Sequence, residues 1–316
     1  MPEIPLRNRE KILIDTDIGD DIDDLLALAF AVNSPEIELI GVTTVFRNTL
    51  LKARIARKLL RLAGKAEIAV VPGAAKPLQN RSFEPFFTEC DFDAAPSQYA
   101  ADMENEPGAL AERSEAVDFI LQKTLATDGD MTLVAIGPLT NIARVITRNA
   151  AAARKIKRVV LMGGAYFSNA VEYNIRCDPE AAAIVFESGI AITGIGLDVT
   201  LQCRLAETDL QRIRQHGSML SDFLYRMITI WRGNTRNLPY LHDPLAIGSV
   251  LNQGFVHLTP KAIAVETQGA YTRGMTFNIT DSNWWNPDPL PANAQVGRSV
   301  DQARFVPFFM ERILAS

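Results

Sequence analysis

Cysteine, histidine and tryptophan are all scarce in this 316-residue chain, with three of each. Cys90, Cys177 and Cys203 are scattered and form no CxxC pair. That argues against a disulfide framework or a zinc site and makes a reducing cytoplasm the expected compartment. No dense Lys/Arg tract is present, and the net charge of −5 speaks against a nucleic-acid surface. No apolar run approaches the length of a membrane span, and the opening "MPEIPLRNREK" lacks the apolar core of a signal peptide. Internal repeats, low-complexity tracts and convincing linkers are missing too. What is present is an ordinary globular composition, 47% hydrophobic and 22% charged, long enough to bury a sizeable core.

Strand-like and helix-like segments alternate along the chain. "ILID", "IELIGVTTV", "IAVVPGA", "MTLVAIG", "IKRVVLMGG" and "IAITGIGLDVT" read as strands. Between them, residues 24–32, "LLKARIARKLLRLAG", "AVDFILQKTLAT", "LTNIARVITRN" and "DPEAAAIVFES" read as helices, the last capped by Asp178 with Pro179 at its first position. In the second of these, Ile55, Leu59 and Leu62 share an apolar face. Lys52, Arg54, Arg57, Lys58 and Arg61 fall mostly on the other sides and read as a solvated face. Strands joined through helices require parallel pairing, so the expectation is a single α/β domain over residues 1–316, wound on both faces of a mostly parallel sheet. Two irregular stretches, residues 79–113 and 281–295, interrupt the rhythm as loops.

The densest chemical signal is "KILIDTDIGDDIDDLLALAFAV", which places Asp15, Asp17, Asp20, Asp21, Asp23 and Asp24 within ten residues. In an open parallel sheet, ligands bind beyond the carboxyl ends of the strands, where Asp15 and Asp17 fall. Capping and the helix dipole account for one or two carboxylates at a helix start, not six. So many like charges repel unless a cation neutralises them or some are protonated. Carboxylates without nearby histidine or thiolate suit Ca²⁺ or Mg²⁺, against the alternative of a solvated acidic turn. Such a cation acidifies water and lets an aspartate take its proton, the arrangement of a hydrolase.

Further groups are found elsewhere. "YLHDPLAIG" sets His242 beside Asp243 at a helix start. His216 and His257 have no such company and read as structural or exposed. Asn48 follows a strand in "VTTVFRN". "MGGAYFSNAVEYNI" supplies Met162, Asn169, Glu172 and Asn174, groups suited to sugar hydroxyls. Tyr225, Trp231, Trp284 and Trp285 are candidates for stacking on a ring, or core residues.

Together these residues resemble the inosine–uridine preferring nucleoside hydrolase family, whose N-terminal signature is DxDPGxDDAxA. "DTDIGDDIDDLLA" has Ile18 in place of proline and two extra residues before the final pair. The likeness runs in order through "GVTTVFRN", "AIGPLTNIA", "VVLMGGA", "EYNIRCDPEAA", "GLDVT", "HDPLA", "TRGMTFNITD" and "VDQARFVPFF". The resemblance implies a Ca²⁺-dependent enzyme that cleaves ribonucleosides to ribose and free base, as a homodimer or homotetramer. It implies that Asp17 is both a calcium ligand and the base toward the attacking water. Asp24, Asp243 and the main-chain carbonyl of Ile136 would complete the ligand set. Asp23, Asn48, Met162, Asn169, Glu172 and Asn174 would hold the ribose, and His242 would be the acid for the departing base. The extra residues leave two registers. The one that keeps the helix start intact assigns these roles to Asp23 and Asp24 rather than Asp21. Two other readings compete: a Mg²⁺-dependent haloacid-dehalogenase-like phosphatase, and a calcium-dependent nucleoside or ribose binding protein without turnover.

Overall fold

Strand β1 (Glu10–Thr16) shows no polar alternation, and Ile12, Leu13 and Ile14 are all fully buried because both faces of its sheet are covered. A computed structural model of the chain describes residues 9–79, 91–104, 106, 116–251, 253–280 and 290–315. Strands β2 (Ile37–Thr44), β3 (Val70–Pro72), β4 (Thr132–Ala135), β5 (Arg158–Met162), β6 (Ile192–Ile195), β7 (Val256–Lys261) and β10 (Ala294–Val300) join β1 in an eight-stranded sheet of order β3-β2-β1-β4-β5-β6-β10-β7. Every pairing is parallel except β10 with β7. Strands β8 (Ile263–Val265) and β9 (Thr276–Asn278) form a separate antiparallel ribbon.

Successive strand residues feed opposite layers. Ile12, Ile14, Val134 and Val160 pack under α1 (Asp23–Val32), α2 (Thr49–Leu62) and the C-terminal helices α10 (Met219–Thr235), α11 (His242–Val250) and α12 (Gln302–Ile313). Leu13, Leu133, Val159 and Leu161 pack under α3 (Ala116–Ala126), α4 (Thr140–Arg148) and α7 (Pro179–Phe186). The expected α/β fold with helices on both faces is therefore present. Strand β1 pairs β2 on one side and β4 on the other, so the chain reverses its winding between β1 and β4. That crevice is where an open sheet binds its ligand.

Several local expectations change. "IAITGIGLDVT" is a strand only to Ile195, and Leu197–Thr200 forms a helical turn, α8. The supposed solvated face of α2 includes Lys52, which is fully buried. The stretch 281–295 is not a loop to its end, since β10 begins at Ala294. Trp284, Trp285 and Cys90 lie outside the described residues. Within 79–113, residues 96–98 pack over the turn after β1, where Gly19 adopts φ +118° and a Cβ would meet Pro96 Cβ at 2.8 Å. Among the described residues, no helix is long and apolar enough to cross a membrane.

Candidate active site

Asp17 is the first residue beyond β1, and Ile136 the first beyond β4. Both line a cavity of about 510 Å³ at the carboxyl edge of the sheet. Gly137 lets the Asp17 carboxylate come close, since a Cβ there would lie 2.8 Å from its Oδ1. Asp23 and Asp24 are the first two residues of α1, where the helix dipole favours negative charge. Asp243 is the second residue of α11, and α1 packs directly on α11. The two helix starts thus meet. Asp23, Asp24 and Asp243 each offer a carboxylate oxygen within 4.8 Å of the others, and all three are buried. Thr16 Oγ1 donates to Asp24 Oδ1 at 2.5 Å and fixes that carboxylate.

Burial drives the acidity of the whole cluster. It pushes Asp17 up to about 6, against the pull of the Lys52 ammonium. For Asp23, Asp24 and Asp243, burial and then repulsion from one another and from Asp17 and Asp21 hold the carboxyls well above the usual range. Lys52 is engaged by the carbonyl of Asp17 and the carboxylate of Asp20, so it cannot neutralise the three. A hard divalent cation fits this donor set.

The opposite wall comes from β5 and the short helix α6 (Tyr173–Cys177). Glu172 caps α6 and accepts from the main-chain N–H groups of Asn174 at 2.8 Å, Ile175 at 3.0 Å and Gly164 at 3.1 Å. Burial nevertheless raises it to about 7. The Asn174 amide donates to the carbonyls of Ile136 at 3.3 Å and Met162 at 3.2 Å, tying this wall to the floor. His242 sits on the third side. Its Nδ1 is 2.7 Å from Thr200 Oγ1, and burial lowers it to about 4, so the ring is neutral at pH 7.

The structure therefore brings Asp17, Asp23, Asp24, Ile136, Met162, Glu172, Asn174, His242 and Asp243 to one cavity. Two of the expected ribose residues are not in its lining. Asn48 caps α2 by accepting from Leu51 N and donates to the carbonyl of Asp93. Asn169 is exposed. Among the aromatic candidates, Trp231 lines the cavity together with Asp21. Tyr225 is not in the lining and lies against Arg214 instead. Tyr173, which sequence reasoning passed over, also lines the cavity, its ring edge-on to Phe46 at 6.5 Å. The acidic doublet Asp20 and Asp21 lines it as well.

Residues 12–307 match the family model described as inosine-uridine preferring nucleoside hydrolase. The chain belongs to that family. It is similar to uridine nucleosidase 1 of Arabidopsis thaliana, 34% identical over 89% of this chain and 85% of that protein. It is also similar to the pyrimidine-specific ribonucleoside hydrolase RihA of Shewanella sp. (strain ANA-3), 33% identical over 96% and 95%. Among solved structures, a purine-preferring ribonucleoside hydrolase from Gardnerella vaginalis superposes with a TM-score of 0.81 at 31% identity, covering 96% of this chain and 99% of that one. The chain is thus an N-glycosyl hydrolase of the nucleoside hydrolase family, and the phosphatase reading falls.

Proposed function

We propose that this nucleoside hydrolase cleaves ribonucleosides with Ca²⁺ as its resident cation and Asp17 as the base. The observation that carries this reading is the convergence of Asp17, Asp23, Asp24 and Asp243 at the floor of one cavity, opposite the Glu172–Asn174 wall. Asp17, Asp24, Asp243 and the carbonyl of Ile136 would hold the ion, and a set with several protein oxygens favours calcium over magnesium, which keeps more of its waters. When bound, the ion supplies an acidified, oriented water. Asp17 would take a proton from the water that attacks the anomeric carbon. Asp23, Glu172, Asn174 and Met162 hold the ribose. Hydrogen bonds to its hydroxyls strengthen as the sugar takes on oxocarbenium character, and the acidic floor stabilises that charge.

Asn48 and Asn169 have a weaker claim on the sugar, because their side chains are committed to a helix cap and to solvent respectively. His242 acts on the leaving side. Protonated from solvent, its imidazolium form gives a proton to the departing base and returns to the neutral ring, whose Nδ1 lies 2.7 Å from Thr200 Oγ1.

The test is release of reducing sugar from inosine, uridine, cytidine, adenosine and guanosine, with EDTA, with calcium restored, and with Asp17→Asn alongside. Ribose release abolished by EDTA and by the variant is the expected result. Tight calcium binding with no ribose from any nucleoside would sink the catalytic reading in favour of a binding protein.

A further inference from the structure

Lys52 is fully buried on α2, yet it is not part of the cavity lining. A buried ammonium is tolerated only when paired and hydrogen-bonded. Its Nζ donates to the main-chain carbonyl of Asp17 and to Asp20 Oδ2 at 3.0 Å, and Arg47 Nη1 approaches the same carboxylate oxygen at 3.5 Å. Asp20 belongs to the two-residue excess of this turn over the DxDPGxDDAxA form. The other side of the turn is held too. Gln98, also fully buried, donates its side-chain amide to the carbonyl of Asp21 and its main-chain N–H to the carbonyl of Gly19 at 3.0 Å. Ser97 Oγ reaches the Gly19 and Asp20 carbonyls at 3.4 and 3.3 Å.

The carbonyls of residues 17, 19, 20 and 21 are therefore gripped from two sides by groups that themselves line no part of the cavity. The geometry points to Lys52 and Gln98 as positioning residues that hold the enlarged turn in the one shape that presents Asp17 to the cation. This inference rests on the reading of Asp17, Asp24 and Asp243 as cation ligands.

Charge and position make opposite forecasts for Lys52. If only its charge mattered, removing a positive group beside a cation site would tighten metal binding. If it positions Asp17, removing it weakens binding despite the favourable change in charge. Gln98 carries no charge, so its loss tests position alone, and it supplies a second variant should Lys52→Met not fold.

Calcium affinity is measured by calorimetry on the full chain, for wild type, Lys52→Met and Gln98→Leu, with melting curves to show folding. Both variants are expected to bind calcium about 10- to 100-fold more weakly, the usual effect of losing a group that orients a metal ligand. At saturating calcium, kcat should fall while the nucleoside KM stays within roughly threefold. Folded variants with wild-type or tighter calcium binding would overturn the inference and leave the cation site standing. A wild-type chain that binds no divalent ion would overturn the cation reading beneath it.

Discussion

The metal-free protein should lose stability as pH rises from about 5 to 7.5, and calcium should remove the share of that loss that belongs to its own carboxylate ligands. Glu172 illustrates the sign. Its carboxyl moves from 4.5 to about 7 on folding, because burial outweighs the three N–H groups it accepts from. Between those two values the unfolded chain has released the proton and the folded chain still holds it, so stability falls as pH rises. Each pH unit separating the two values is worth about 1.4 kcal/mol, which gives ~3 kcal/mol for Glu172.

Asp17, raised from 3.8 to about 6, contributes ~3 kcal/mol by the same reasoning. The two repel one another, so their effects overlap rather than add. Asp23, Asp24 and Asp243 act in the same direction. Glu10, Asp102, Glu106 and Asp130 act the opposite way, since their carboxyls are held below the ordinary range. Their stabilisation is complete above their unfolded values and so lies outside this window, whereas His242, lowered from 6.5 to about 4, regains ~2 kcal/mol between pH 5 and 6.5 and offsets part of the fall there. A loss of ~3 kcal/mol corresponds to a fall in Tm of roughly 5–10 °C for a chain of this size.

The assay is thermal melting at pH 5, 6, 7 and 7.5, in EDTA and in saturating calcium. Protons compete with the cation for the same carboxylates, so calcium should raise Tm far more at pH 7.5 than at pH 5. A Tm in EDTA that is flat or rising across this range would refute the reasoning. So would a calcium effect of equal size at both ends.

Three further outcomes follow from the proposed roles of Asp17 as proton acceptor, Asn174 as a ribose contact and Trp231 as a wall residue. Asp17→Asn keeps the shape but removes the proton acceptor, so kcat should drop about 10²- to 10⁴-fold for every nucleoside, measured by reducing-sugar release. Asn174→Ala leaves the Ile136 and Met162 carbonyls without their donor and the ribose without a contact. The nucleoside KM should rise about 10-fold, and an unchanged KM would remove Asn174 from the sugar site. Trp231→Ala opens the wall that the indole shares with Asp21. It should alter the ratio of kcat/KM between purine and pyrimidine nucleosides, whereas Asp17→Asn should leave that ratio alone.

Most of the scaffold was legible in the sequence because its signals are local. Apolar runs buried on both faces, the Asp178–Pro179 helix start and the aspartates after β1 all lie within a few residues of what they determine. The misreadings concern side chains whose partners are distant. Lys52 reads as outward by periodicity, but its head group meets a carbonyl and a carboxylate 35 and 32 residues away. The segment after Ile195 continues an apolar strand pattern, yet Asp198 accepts from the main-chain N–H groups of Tyr166 and Phe167 and sits in a helical turn. Asn48 occupies a motif position but spends its amide on a cap and on Asp93. Tyr173 went unnoticed between Glu172 and Asn174, although the three consecutive residues at this helix start all line the cavity.

On the proposed function, the cavity divides into a part that would serve every ribonucleoside and a part that would tell them apart. Ribose is common to all such substrates, and so is the charge that develops on it during cleavage. The groups suited to both are buried, tied to strand ends and helix starts, and linked to one another: Thr16 to Asp24, Asn174 to Ile136, Glu172 to three main-chain N–H groups. Rigidity there preserves the alignment that the chemistry needs. The base differs from one nucleoside to the next, and the rest of the lining, which includes Tyr173, Trp231, Thr235 and Asp21, contains exposed groups, Tyr173, Thr235 and Asp21. Similar proteins named for uridine and for purine nucleosides share this fold at 34% and 31% identity. On the proposed function, base preference would reside in wall residues that change without disturbing the acidic floor, which is why a substitution at Trp231 and one at Asp17 are expected to have different signatures.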